Sequence, residues 1–202
     1  MKCPSCATTL AAAEPRCPQC KLSLQRLDLK FGLVPRHSRY LSDRSQRLTL
    51  PEMKSLRHEL RLFEKKFPQI LLSVLLTELP TNHPAHEYAF WMANRARFSS
   101  LEKTRSDNCD LLLVIDAASD TAALVAGYGL EPYVSEDDLQ EVLQALARPL
   151  RAGDWAGGIH ACLQALIAKL RSCSATARKR ELENTTASKE TSNVQRPTSN
   201  VQ

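Results

Sequence analysis

Two copies of C-P-x-C, at residues 3–6 and 17–20, constrain the start of this chain more than any other feature. A Cys-x-x-Cys turn aims two thiolates at one point, and two such turns supply the four sulfurs of a tetrahedral site. Cys3, Cys6, Cys17 and Cys20 are therefore expected to ligate zinc, since a redox dithiol needs only one pair in a thioredoxin-like setting. Four thiolates leave no coordination position open, so such a metal is structural and cannot activate water. Zinc binding in peptides of this kind contributes on the order of 10–16 kcal/mol, enough to order a short segment with almost no core of its own.

The remaining chain has to supply its own core, and 202 residues suffice for one ordinary domain without disulfides. Cys109, Cys162 and Cys173 are scattered singly, which suits a reducing compartment. The N-terminus runs straight into cysteines and no apolar stretch reaches membrane length, so the sequence predicts neither a signal peptide nor a membrane span, and a cytoplasmic protein. Charge is distributed unevenly. Residues 1–66 hold fourteen Lys and Arg against six Asp and Glu, residues 67–171 hold eight against thirteen, and residues 172–202 hold five against three. A basic arm thus precedes an acidic domain.

The organisation expected from this pattern is a zinc knuckle over 1–22, a basic linker over 23–47, a domain over 48–171 and a disordered tail over 172–202. The linker contains Arg36, Arg39, Arg44 and Arg47, a footprint that could engage nucleic acid. Only Phe31 and Tyr40 accompany those charges as stacking platforms, which favours a solvated linker over a nucleic-acid surface. Beyond it, Pro51 suits a first helical turn, and Leu56, Leu60, Phe63 and Phe67 form one apolar stripe. Residues 69–77 read as a buried strand, and a second helix covers roughly 84–97. Residues 110–116 and 121–127 read as two strands joined by the turn at Ser119 and Asp120, with a hairpin the economical pairing. A Ser135-x-x-Asp138 capping box opens a helix with Leu139, Val142, Leu143 and Leu146 on one face, stopped by Pro149. A last helix starts near Asp154 and buries Trp155, Ile159, Leu163, Leu166 and Leu170. Strands between helices, two of them adjacent in sequence, point to a mixed sheet covered by helices on both faces. The polar tail ends in a doubled TSNVQ around Arg196 and Pro197.

Between residues 107 and 163 the chain contains Asp107-Asn108, an apolar strand, Gly127-Tyr128-Gly129-Leu130-Glu131, Ser135-Glu136-Asp137, and Arg151 to Ile159 with Gly153, Asp154, Trp155 and Gly158. This series resembles the TPM domain family, which has thylakoid-lumen, photosystem-repair and receptor-auxiliary members. The resemblance extends over roughly residues 48–171 and draws most of its specificity from the second half. It departs from the family pattern at Cys109, where a glycine is usual, and at Glu136, where an aspartate is usual. It implies a three-layer α/β/α sandwich. It also implies either Ca²⁺ binding, acid-phosphatase activity or accessory and assembly roles, because members differ in these respects.

The same residues permit a physical reading of their own. Gly127 and Gly129 allow positive φ, which would set Glu131 and the 135–138 turn at the carboxyl end of a strand, where open sheets bind ligands. Asp107, Asp116, Glu131, Glu136, Asp137, Asp138 and Asp154 would then offer hard oxygen ligands for Ca²⁺ or Mg²⁺. Acids in a helix's first turn also complement the macrodipole, and Asp154 reads equally well as an N-cap. His83 and His86 flank a helix start beside Pro84 and read as ordinary histidines. Two functions from different classes follow. One is a binding or accessory module that engages protein partners. The other is a divalent-metal-dependent phosphatase acting on phosphomonoesters, with Arg151 the nearby cation in sequence. No catalytic residue is assigned, since no complete acid, base and nucleophile set is visible.

Overall fold

A computed structural model describes residues 2–10, 15–96 and 109–193, with side chains described as far as Ser174. The elements are α1 (Leu24–Phe31), β1 (Leu41–Asp43), α2 (Leu50–Lys66), β2 (Leu72–Thr77), α3 (Ala85–Arg95), β3 (Leu111–Asp116), β4 (Thr121–Ala126), α4 (Glu136–Arg151) and α5 (Trp155–Asn193), with a short 3-10 turn over Tyr128–Leu130. The sheet order is β1-β2-β3-β4; β1, β2 and β3 run parallel, and β4 closes the expected hairpin antiparallel to β3.

The central strands β2 and β3 are buried on both faces, so their side chains divide the core into two layers by simple alternation. Leu72, Val74, Leu76, Leu111, Leu113, Ile115 and Leu124 pack beneath α2, α4 and α5. Leu75, Leu112, Val114 and Ala123 pack against α1 and α3, around the fully buried Trp91. The result is a three-layer α/β/α sandwich with a mixed sheet. Because β1, β2 and β3 succeed one another in one direction while α2 and α3 lie on opposite faces, the two parallel crossovers are of opposite hand. One of them therefore has the rare left-handed sense.

Local signals explain most of the helix boundaries. Thr49 and Glu52 form a reciprocal capping box at the start of α2, with Pro51 in its first turn. Ser135 and Asp138 do the same for α4. Pro149 does not stop α4, which continues to Arg151. The proline gives up only its own bond to the carbonyl of Ala145, near the helix end, and the carbonyls of Pro149 and Leu150 are then capped by the N–H groups of Ala152, Gly153 and Asp154.

The segment expected to be a linker is built into the domain. Ser23 caps α1, Gly32 at φ 75° ends it, and Leu27 is fully buried beneath it. Asp28 accepts from Trp91 Nε1 at 2.8 Å and from Arg95 Nε and Nη2 at 2.9 and 2.6 Å, which pins α1 to α3. Residues 41–43 then pair with Val74–Leu76 as an edge strand. Helix α5 runs on to Asn193, past residue 171, through a stretch rich in Ala, Arg, Lys and Glu. Residues 194–202, with Arg196, Pro197 and the second TSNVQ, lie outside the described residues.

Candidate metal centre and the acidic residues

The two C-P-x-C turns adopt the same conformation. In the first, Cys3 N–H donates to the Thr8 carbonyl and Ala7 N–H to the Cys3 carbonyl; in the second, Cys17 N–H donates to Leu22 and Lys21 N–H to Cys17. The residue after each second cysteine, Ala7 at φ 58° and Lys21 at φ 62°, lies in the left-handed region that a non-glycine residue enters at a cost of roughly 1–2 kcal/mol. Two unlike residues, Ala and Lys, thus take the same left-handed conformation at equivalent places of the two turns.

The four Sγ atoms lie within 4.8 Å of one another, with Cys3–Cys20 at 3.5 Å and Cys6–Cys17 at 3.6 Å. Metal–sulfur bonds of about 2.3 Å in a tetrahedron require sulfurs ~3.8 Å apart, so the donor set fits a bound ion with small adjustment. Burial pushes the Cys3 thiol up to about 12, whereas the hydroxyl and N–H of Thr8 hold the Cys6 thiol down to about 6. All seven cysteines are free of disulfides. Among the described residues this is the one group of His, Cys, Asp or Glu side chains that could hold a metal.

The knuckle is fastened to the domain at two points. Lys2 Nζ lies 2.8 Å from Glu136 Oε2 at the start of α4. On the other side Glu87, on α3, accepts from Lys30 Nζ at 2.7 Å and from the Ser5 hydroxyl. Desolvation works to raise the Glu87 pKa, but these bonds hold it below the ordinary carboxylate range.

The sequence-derived acids are spread across the molecule. Because β4 runs antiparallel to the other strands, its carboxyl end lies at their amino ends: Gly127 N–H bonds to the carbonyl of Asp110, just before β3. Asp116 sits at the opposite end of the hairpin, five register steps from Leu111, or about 17 Å. Glu131 and Asp116 therefore lie at opposite edges of the sheet, and the 127–131 segment is not at the ligand-binding edge expected from the sequence. Nor do the glycines use positive φ. Gly127 has φ −68°, and among described glycines only Gly32 and Gly153 are positive.

Asp116, Glu136, Asp138 and Asp154 each have a visible local task. Asp116, almost fully buried, accepts from the N–H of Leu79 at 2.9 Å and of Ala118 at 3.1 Å and from Ser119 Oγ at 2.5 Å. Glu136 holds Lys2, and Asp138 closes the capping box and binds Lys169 at 2.9 Å. Asp154 accepts from Gly157 N–H at 2.8 Å, capping α5, and stands about 22 Å along α4 from Glu136. Glu131 and Asp137 are exposed on the rim of a groove beside β4. Asp107 lies outside the described residues. His83 packs edge-on against Phe31, 5.0 Å between ring centroids, and joins no metal-ligand group.

The G-D-W segment has a structural explanation. Gly153, at φ 76°, makes the α4–α5 turn. A Cβ on Gly157 would come 2.0 Å from Asp154 Oδ2 and displace the cap. A Cβ on Gly158 would press on Leu146 Cδ1 at 3.0 Å, where the two helices cross.

Fold and site together define the class: an α/β/α sandwich carrying a four-cysteine knuckle that could hold a metal. The TPM domain model matches residues 41–169, well over half the chain, so the protein belongs to the TPM domain family. The match begins at β1, seven residues earlier than the sequence boundary. Among solved structures, the BA42 protein of the psychrophilic bacterium Bizionia argentinensis is similar with a TM-score of 0.53 at 16% identity, covering 62% of this chain and 83% of that one. The N-terminal domain of a P. gingivalis protein aligns with a TM-score of 0.49 at 21% identity, covering 66% and 85%. The likeness to BA42 shows the fold alone. Comparison with curated proteins finds no match.

Proposed function

We propose that the protein is a zinc-stapled binding module that engages a protein partner in the cytoplasm without turning over a substrate. The observation that carries this reading is the contrast between its two sets of donors. Four sulfurs converge within 4.8 Å into a closed set, while Asp116, Glu136, Asp138 and Asp154 are taken up by helix caps, a turn and ion pairs at separate places. Zn²⁺ held by Cys3, Cys6, Cys17 and Cys20 would supply folding energy to the knuckle and no Lewis-acid site. Seven cysteines free of disulfides suit a reducing compartment, and among the described residues no helix is long and apolar enough to cross a membrane.

The basic segment gives little support to nucleic acid as the partner. Arg39 is bonded to Glu64, and Arg47 pairs with Glu78 at 3.1 Å. The test has two arms on the full chain. Metal analysis is expected to find one zinc per chain, and a chromogenic phosphate ester with Ca²⁺ or Mg²⁺ is expected to remain intact. Hydrolysis that is lost in Glu136→Ala or Asp137→Ala would instead establish the divalent-metal phosphatase.

A further inference from the structure

The two edges of the sheet are finished differently. At β1 the edge is only three residues long, ends in Asp43, and is blunted by Arg57, whose Nη2 donates to the carbonyl of Leu41 at 3.4 Å. At β4 the edge is six residues long, Thr121–Ala126, in unbroken register, with no charge, proline or bulge in it. The pairing of Gly127 N–H with Asp110 fixes the alternation along the hairpin. Ala123 and Val125 turn their peptide groups toward β3, whereas the N–H and C=O groups of Ala122, Leu124 and Ala126 point away from the sheet. Among the described residues no strand takes them up.

Those groups form the floor of a groove of about 750 Å³. It is walled by His86 and Phe90 of α3 on one face of the sheet and by Leu139 and Leu143 of α4 on the other, so it occupies the position of a fifth strand in the sandwich. Lys2, Pro4 and Thr9 of the knuckle line it as well. The charge on its walls is unbalanced toward acid. Lys2, paired with Glu136 and also facing Asp137, is one cation against the three exposed carboxylates of Glu131, Glu136 and Asp137.

We infer that this groove receives an extended segment of a partner protein, which adds a strand to β4 and carries a lysine or arginine that reaches Asp137. Main-chain bonds to Ala122, Leu124 and Ala126 would supply affinity, and alternate side chains meeting the α3 and α4 walls would supply selection. The small side chains of Ala122 and Ala126 leave room for apolar, β-branched residues on the incoming strand. The knuckle contributes a wall, so metal binding and partner binding are linked through the same surface. This inference rests on the binding-module reading and names the class of partner.

The experiment is a titration of the isotope-labelled, zinc-loaded full chain with acetylated hexapeptides that alternate valine and threonine and carry a lysine at either end. Binding is expected to shift the amide signals of Ala122, Leu124 and Ala126. Replacing the lysine by glutamate, or Asp137 by Asn, should weaken binding several-fold. Methylating alternate peptide nitrogens should abolish it. Ala122→Pro removes an outward N–H without touching the β3 ladder and should weaken binding about tenfold, the value of one lost hydrogen bond. The N-methylated peptides give the same answer without altering the protein, should that variant fold poorly. Failure of the whole peptide set to bind, shifts that map away from β4, or a chain that dimerises through this edge would each overturn strand docking. Such a failure is separate from ester hydrolysis, which would overturn the module reading itself.

Discussion

Replacing Asp116 separates a structural carboxylate from a metal ligand. Its side chain holds the β3–β4 turn and the segment after β2 together, accepting from Leu79 N–H, Ala118 N–H and Ser119 Oγ. In Asp116→Ala the Leu79 N–H, in a residue only 8% exposed, loses its acceptor and finds no water to replace it. A buried unsatisfied donor costs about 1–3 kcal/mol, and bonds to an ionised carboxylate are worth roughly twice neutral ones. Ala118 and Ser119 are exposed and re-solvate, adding a few tenths each. The total is on the order of 3 kcal/mol, which for a chain of this size lowers Tm by about 6–12 °C. Asp116→Asn keeps a carbonyl oxygen for Leu79 and Ala118 and gives up mainly the Ser119 bond, so about 1 kcal/mol is expected. The ordering Ala well below Asn, and Asn just below wild type, is the signature of a hydrogen-bond acceptor.

Thermal and urea melts of the three proteins, with and without millimolar calcium, measure this directly. A ligand role gives a different pattern. Calcium at a hundred times its Kd would stabilise the wild type by about 2.7 kcal/mol and leave Asp116→Asn unmoved. That result, or an Asn variant as unstable as Ala, would falsify the turn-acceptor account and return Asp116 to the candidate ligands.

Three further outcomes are expected. Cys17→Ser, or a strong chelator, should remove the metal and unfold the knuckle while α3 and the sheet stay folded, seen as collapse of amide signals over residues 2–22 alone, because the domain has its own core. Gly153→Ala should cost about 1–2 kcal/mol in urea melts through its φ of 76°, with open space around the new Cβ, so that Gly153→Asn recovers part of the loss. Asp138, held at about 2 by the Ser135 side chain, Lys169 and the Ser135 N–H, should contribute stability that is complete above its unfolded pKa of about 3.9 and disappears as pH falls toward 2; Asp138→Asn should flatten that window of the urea midpoint against pH.

How far the sequence could be read depended on whether a feature was local. The capping box at Ser135, the hairpin and the cysteine turns are each settled by a few neighbouring residues, and they stand where the sequence placed them; the Thr49–Glu52 box is equally local, though only Pro51 marked that helix start in the sequence. Helix α1 had a legible signal that charge obscured: Ser23, then Leu24, Leu27 and Phe31 at helical spacing, then Gly32. Strand β1 had none, since three residues show no period and Leu41–Asp43 are a strand only because β2 lies beside them. Pro149 misled as a stop signal because a proline near a helix's end forfeits one bond in a region where bonds are already scarce.

The acidic residues show the limit most clearly. Seven carboxylates within fifty residues look like a cluster along the chain, yet one antiparallel strand reverses the direction in which Glu131 leaves the sheet, and one helix carries Asp154 away from Glu136. Sequence proximity counts as spatial convergence only when the connecting elements turn back on the same point. The cysteines satisfy that condition because each pair is bridged by a single tight turn, and the two turns face each other with all four sulfurs within 4.8 Å. The carboxylates fail it because a strand and a helix, the two straightest objects a chain can make, stand between them. What gathers at one place instead is a strand edge that no described strand covers, two helix flanks, the knuckle and an acidic rim, and that combination is built to hold another chain.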